Sequence, residues 1–329
     1  MNAFIHHFSF EFRAGIRNKQ LLLMNYLFPL GFYLMMGFIM AEINPLFRED
    51  IIPAMIVFGV LAATLLGIPD PLVNARENGV FRSYKINGVP SISILVIPAL
   101  TTILHLVIVT VLITVTAPML FEAPLPVNWL NFVLIFAALA FACAGLSVLI
   151  GVVSPSSRMT VLWSQLIFVP SMLLGGLMLP YSMLPDVAGK FAQLLPATQA
   201  MNAFNGLAMG KVAAFSPWGS VIMLTVSGIL AFGLAVYLFS WDSRNTARRG
   251  HPLLALLALL PYVVGRHDGS IQHVTCRGRK ICTVASCHAG DERLQRIGDG
   301  KSGRFFSVGI GYHVAGQRCF GIWTGRLSL

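Results

Sequence analysis

Charge is what this 329-residue sequence has least of: only 11% of its residues are Asp, Glu, Lys or Arg, whereas a soluble domain carries about 25%. With 56% apolar residues, that scarcity excludes a soluble globular protein. Acidic side chains number 13 against 23 basic ones, and none falls in the interior of the long apolar runs. The ten-residue alternating segments of a closed membrane barrel are absent too. Of five cysteines, four lie beyond Arg266. Cys276, Cys282 and Cys287, with His288, are separated by five and four residues, not by the short paired spacings of structural zinc sites, so no metal is assigned. A complete phosphate-binding loop is missing as well. The stretch GDGKS at 298–302 fails, because the leading glycine falls at Gln295 and no strand precedes it. The chain therefore supplies no nucleotide chemistry of its own.

What remains is apolar sequence in runs of about 20 residues, each long enough to cross a hydrocarbon core of roughly 30 Å. The expected fold is an all-α integral membrane protein with six transmembrane helices: Leu21 to Ala41, Ile51 to Pro69, Ile92 to Leu120, Trp129 to Val153, Thr160 to Leu179 and Trp218 to Ser240. The third is longer than a perpendicular crossing needs, which predicts tilt or a broken end at Pro98. The fourth carries Ala137, Ala138, Ala140, Ala142, Ala144, Gly145 and Ser147, small residues that permit close helix approach. Asn25 and His105 are read as hydrogen-bonding residues rather than ligand contacts, and Cys143 as a packing residue.

Loops assign the sides. Ten Lys and Arg residues of the first 265 positions fall on one side of this topology and three (Arg48, Lys190, Lys211) on the other. Basic loops stay in the cytoplasm, so both ends of the six-span unit are expected there. Residues 1–20 are no signal peptide, since no basic segment precedes the apolar core and no small-residue cleavage site follows. Phe4, Ile5, Phe8, Phe12 and Ile16 share one helical arc and His6, Arg13 and Arg17 the other, as in a helix lying in the membrane interface.

The most informative stretch is the charged island DPLVNARENGVFRSYKINGVP, residues 70–90, between the second and third spans. Asn74 to Lys85 contains no proline and predicts a short helix, whose length the turn-forming Asn-Gly pairs at 78–79 and 87–88 restrict. So short and polar a helix buries no core of its own and needs a docking partner. Arg76-Glu77-Asn78-Gly79, the aromatic and basic Phe81 and Arg82, and Pro90 opening the next span resemble the cytoplasmic coupling loop of type-2 ABC transporter permeases, the type V exporter fold. A second segment is similar to the same family. After the fifth run, Gly175, Gly176, Pro180, Leu184-Pro185, Leu195-Pro196 and a small, polar stretch to Asn205 and Gly210 follow in the family's order. The prolines there cut an apolar sequence into pieces too short to cross, predicting re-entrant helices at the outer face over 180–210.

The resemblance covers residues 1–249 and implies a permease subunit of an ATP-driven exporter, with no ATPase site and no cofactor of its own. ATP would be held by a separate ABC ATP-binding subunit, and a second permease copy would complete the unit in a plasma or inner membrane. It implies coupling through Arg76, Glu77, Gly79, Phe81, Arg82 and Tyr84, with Glu77 meeting a basic residue of the ATPase. It also implies an outer gate at Gly175, Gly176, Pro180, Pro185 and Pro196. The lining would be apolar and aromatic, with Phe32, Phe58, Gln165 and Phe168 on the translocation path, which suits a drug or lipid-like substrate. Nucleic acid is not an expected partner. Two rivals differ in class. An ion-coupled secondary transporter would carry midplane carboxylates, which the spans lack, and a non-transporting scaffold would use the island for docking alone.

Residues 250–265 hold about a dozen apolar positions, too few for a confident span. Residues 266–329 are rich in Cys, Gly and Arg and show no clear helical or strand periodicity. The expectation for them is a tail that is not a functional domain, from an altered reading frame or a fusion in place of the family's ending.

Overall fold

A computed structural model describes residues 19–43, 47–178 and 184–239, together with Ser9, Phe12, Arg13, Arg17, Tyr181 and the strand residues 274–276, 280–282, 305–314 and 317–326. Most of the expected interfacial helix at 1–20, Pro180, the basic stretch after Ser240 and the segment 250–265 lie outside the described residues.

In the unit Met1–Gly269 every regular element is helical, among the described residues. The first helix begins with one turn at Lys19–Leu22, widens into a π turn at Leu23–Leu27, and continues as α1 (Phe28–Ile43). Next, α2 (Phe47–Leu61) leads through a second π turn, Ala62–Leu66, into the short helices α3 (Pro69–Glu77) and α4 (Val80–Ile86). The long helices α5 (Ser91–Phe121) and α6 (Trp129–Val153) follow, then α7 (Ser157–Leu174). Two short helices, α8 (Asp186–Ala192) and α9 (Pro196–Ala203), a third π turn at Phe204–Ala208 and α10 (Pro217–Leu238) complete the unit.

Among the described residues, five helices are long and apolar enough to cross a membrane: Leu23–Met40, Phe47–Glu77, Ser91–Phe121, Trp129–Val153 and Pro217–Leu238. They correspond to the first four and the last of the expected spans. The expected fifth, 160–179, differs. Its helix α7 is 18 residues long, contains Arg158 and Gln165, and stops at Leu174 because the chain turns at Gly175 and Gly176.

Burial follows composition. Residues 51–61 of α2 are apolar on every side and all are buried, as expected of a helix at the centre of a bundle. Around it, α1, α5, α7 and α10 turn Phe38, Val115, Leu162 and Ile222 outward, side chains that match lipid. The small residues of the fourth span act where foreseen. A Cβ on Gly145 would lie 3.0 Å from the Gly228 carbonyl oxygen, and one on Gly228 would lie 2.5 Å from the Phe141 ring, so α6 and α10 pack nearly backbone to backbone. In α5 the helix runs unbroken through Pro98, where the Thr101 hydroxyl donates to the Ile97 and Pro98 carbonyls, both at 2.9 Å. Its 31 residues make about 46 Å of helix, longer than the hydrocarbon core is thick. Tilt or overhang therefore takes up the excess, not a break.

The second unit, Ser270–Leu329, contains two antiparallel pairs: β1 (Val274–Cys276) with β2 (Lys280–Cys282), and β3 (Phe305–Val314) with β4 (Gln317–Arg326). The reading of this stretch as lacking strand periodicity is corrected at β3. There Phe306, Val308, Ile310, Tyr312 and Val314 alternate, a period-two signal diluted by the glycines between them. Across the second pair, Gly309 faces Ile322, Gly311 faces Phe320 and Gly325 faces Phe306.

Candidate coupling site

The island at 70–90 folds as two short helices, and its sequence dictates where each stops. Pro69 starts α3, since its fixed φ suits a first helical turn and its missing N–H costs nothing there. Asn78 and Gly79 end it. Gly79 sits at φ 73°, where only glycine is unstrained, and its N–H returns to the Arg76 carbonyl at 3.2 Å while its own carbonyl accepts from Arg82 N at 3.1 Å. The same device closes α4, with Gly88 at φ 70° and the Asn87 side chain donating to the Ser83 carbonyl at 2.8 Å. Pro90, extended at φ −69° and ψ 143°, then opens α5. Where one helix is expected over 74–85, the chain makes two joined by the Asn78-Gly79 turn, because a left-handed residue cannot continue an α-helix.

Arg76 decides how this pair is seated. It is buried at 8% exposure, and its guanidinium donates to the Val152 carbonyl at 2.8 Å and to the Ser154 carbonyl. Those oxygens are the free acceptors at the C-terminal end of α6, where a cation also meets the negative end of the helix dipole. Gly151 makes the approach possible: a Cβ there would lie 2.7 Å from the Leu72 side chain and 3.3 Å from the Pro69 backbone. A second tether runs to the start of α7, where the Ser157 hydroxyl donates to Asn74 Oδ1 at 2.9 Å and Asn74 Nδ2 donates to Asp70 at 3.1 Å. The loop between the second and third spans is thus bolted to the turn between α6 and α7.

The six residues expected at this site divide into two sets. Glu77 and Arg82 are exposed and Gly79 is the exposed turn. Arg76 faces inward, Phe81 is buried with its ring 5.6 Å from that of Phe239, and Tyr84 is half-buried against the core. Asn74, Gly151 and Ser157 carry no signal in the sequence that marks them as part of the site.

At the other end of the bundle, the expected gate residues close a compact cap. A Cβ on Gly175 would lie 2.1 Å from the Ser171 carbonyl oxygen and 2.7 Å from Ala197, and Gly176 is left-handed at φ 81°. Pro185 precedes α8 and is exposed; Pro196 starts α9, all eight of whose residues are buried although the helix is far too short to cross a membrane. The Tyr181 hydroxyl donates to the Gly189 carbonyl at 3.2 Å and accepts from Gln193 Nε2 at 2.9 Å. Asn202, not foreseen from sequence, joins α9 to α10. Its Nδ2 donates to the Phe215 carbonyl and to Ser220 Oγ, both at 3.0 Å, while its Oδ1 accepts from Ala214 N at 2.9 Å and Phe215 N at 3.2 Å. Lys211 ties this cap to the start of α2 through Asp50 at 2.8 Å and Glu49 at 3.1 Å.

Of the four residues expected on a translocation path, three meet. The Phe32 ring stacks on Phe58 with centroids 3.9 Å apart, and Phe168 lies 5.9 Å from Phe58. Gln165 is exposed on the outer face of α7, away from that cluster. No group of three or more His, Cys, Asp or Glu side chains able to hold a metal occurs among the described residues; Cys287 and His288 lie outside them.

No curated protein and no solved structure matches the chain. Residues 3–209 match the family described as ABC-2 type transporter, a stretch that takes in α1 to α9, both short loop helices and the cap. A buried, multi-helix apolar bundle carrying this match over more than half its length is a membrane transport domain, not a catalytic one, and the chain belongs to the ABC-2 type transporter family.

Proposed function

We propose that the chain is the permease subunit of an ATP-driven exporter, powered by a separate ATP-binding subunit and completed by a second permease copy. The observation that carries this reading is the seating of α3 and α4. Arg76, Leu72 and Phe81 hold the pair rigidly to the bundle, while Glu77, Arg82 and Lys85 remain exposed at its tip. A rigidly seated charged knob is what a partner can push on, because force applied at the tip reaches the spans without being lost in a flexible loop.

Three connections would carry that push. Pro69 leads into α2, Pro90 into α5, and Arg76 into the end of α6. Closure of the ATPase would drive α3 and α4 and tilt these helices. The cap from Gly175 to Pro196, at the far end of the bundle, would then open outward. In this reading α7 serves as a sixth span, α9 is re-entrant, and both ends of the permease unit face the cytoplasm of a plasma or inner membrane. A hydrophobic or amphiphilic cargo suits the aromatic cluster of Phe32, Phe58 and Phe168.

Glu77 is the proposed contact for a basic residue of the ATPase. The test is purification from native membrane in mild detergent, comparing wild type with Glu77→Arg. A nucleotide-binding partner should copurify with wild type, and the variant should lose it or lose permease-dependent ATP hydrolysis. Absence of any nucleotide-binding partner, under conditions that preserve other membrane complexes, would sink the proposal.

A further inference from the structure

Away from the helix ends, the exposed positions described on α1, α5 and α6 hold only apolar side chains and glycine. On α10 the exposed Thr225 turns its hydroxyl back to the Val221 carbonyl at 2.9 Å, so its own helix satisfies it. Gln165 breaks the pattern. It is exposed midway along α7, and its side-chain amide bonds to none of the described residues.

Depth makes this costly. The 18 residues of α7 make about 27 Å of helix, and Gln165 stands about 12 Å along it. With α7 as the sixth span, that is hydrocarbon depth. A primary amide has two donors and an oxygen with two lone pairs, and lipid tails satisfy none of them. The side chain is also too short to reach a headgroup from there, unlike the long stems of Lys and Arg. Of the six proposed spans, α7 is moreover the one missing from the helices apolar enough to cross by themselves. This face therefore needs protein against it.

The residues around Gln165 indicate which protein. Leu162, Leu166, Val169 and Leu173 are all exposed, and their 4-3-4 spacing is the seam along which two helices pack at a shallow angle. Gln165 flanks that seam. Two copies inserted in the same direction, related by a two-fold axis along the membrane normal, run their α7 helices parallel. Each residue near the axis then meets its own counterpart at its own depth. An amide suits that arrangement because it is self-complementary, donating through its nitrogen and accepting through its oxygen. A second copy thus brings both the apolar seam and the matching amide to the right level; lipid brings no amide.

We propose that the α7 face centred on Gln165 is the contact with a second copy of this chain, the amide hydrogen-bonded across the two-fold axis to Gln165 of the partner subunit. The inference rests on the reading that a second permease copy completes the unit, and it names the surface that does so. It also gives a role to a residue that lies apart from the Phe32, Phe58 and Phe168 cluster.

The test has two parts, both on the full chain. Single-molecule photobleaching in nanodiscs cut directly from the membrane counts the copies, and two are expected. Oxidative cross-linking in the same membrane then locates the contact, in a background carrying Cys276→Ser, Cys282→Ser, Cys287→Ser and Cys319→Ser. Gln165→Cys should yield a covalent dimer, whereas Ile222→Cys, on the outward face of α10, should not. Energy transfer between labelled copies in phosphatidylcholine vesicles, followed as lipid is added, should show dissociation about three- to thirtyfold easier in Gln165→Leu. Gln165→Asn, which keeps an amide, should restore part of the loss. Thermal unfolding of the detergent-separated Gln165→Leu monomer should match wild type, since leucine at an exposed position disturbs no internal contact. A dimer that Gln165→Cys does not cross-link, or that Gln165→Leu leaves equally tight, overturns this interface and spares the two-copy reading. A chain that stays single at every protein-to-lipid ratio overturns both.

Discussion

Replacing Arg76 by methionine tests the anchoring of the loop helices most directly. Methionine keeps the apolar stem and removes the guanidinium, so the change isolates the bonds to the Val152 and Ser154 carbonyls. A hydrogen bond to a charged group contributes about 1.5–3 kcal/mol net, but two on one group are not fully additive. The loss expected is about 2–4 kcal/mol, with no discount for solvent because the residue is 8% exposed. Each 1.4 kcal/mol is about tenfold in an opening equilibrium, so the amides of Leu72 to Glu77 should exchange roughly 30 to 700 times faster in the variant. Hydrogen exchange read by mass spectrometry, on the protein in nanodiscs, measures this by peptide. The effect should be local: peptides from the centre of α2 should keep their protection. Arg76→Lys should fall between, because one ammonium on a flexible stem cannot span two carbonyls as a planar fork does. Unchanged exchange at 72–77 in Arg76→Met would refute the anchoring, and equal acceleration throughout the bundle would refute its local character.

Gly175→Ala should lower the unfolding temperature, since its methyl group would stand 2.1 Å from the Ser171 carbonyl and 2.7 Å from Ala197; overpacking of this kind costs about 1–3 kcal/mol. Gly31→Ala is the matched control, with nothing within 4 Å of the new methyl, and should be neutral or slightly stabilising. Asn202→Leu strips the clamp between α9 and α10 of four hydrogen bonds and leaves the amides of Ala214 and Phe215 unpaired. A loss of about 2–4 kcal/mol is expected, visible as faster proteolysis near 209–216 before global unfolding. Lys211→Ala should do little by comparison. Its partners Glu49 and Asp50 are 57% and 33% exposed, and such pairs contribute about 0–1 kcal/mol. The small shift in unfolding temperature should shrink further in high salt.

Much of the bundle was legible because hydrocarbon admits so few solutions. A run of about 20 uncharged residues can only become a helix or part of a closed barrel, and five of the six expected spans occur as helices long enough to cross. Turn chemistry was legible in part: Asn87-Gly88 stops the second loop helix, but the helix expected over 74–85 ran across Asn78-Gly79, where the chain breaks because left-handed backbone is costly for residues other than glycine. At α7 this kind of reading overran, since apolarity continues to Leu179 while the helix ends at Leu174, where Gly175 fits beneath Ala197. No feature of the local sequence tells a glycine that ends a helix from one that merely packs.

Within the island, composition alone determined that five charged residues lie between two apolar runs. Only the tertiary structure decided that Arg76 turns inward while Glu77 and Arg82 stay out. The carbonyls that receive Arg76 belong to residues 76 and 78 positions further along the chain, and they are free only because α6 ends there. The same holds for Asn25 and His105, 80 residues apart in sequence, which line one cavity only because the first and third spans lie side by side. Amino-acid type sets what a side chain costs to bury; its partners are set by which distant helix ends are brought alongside it.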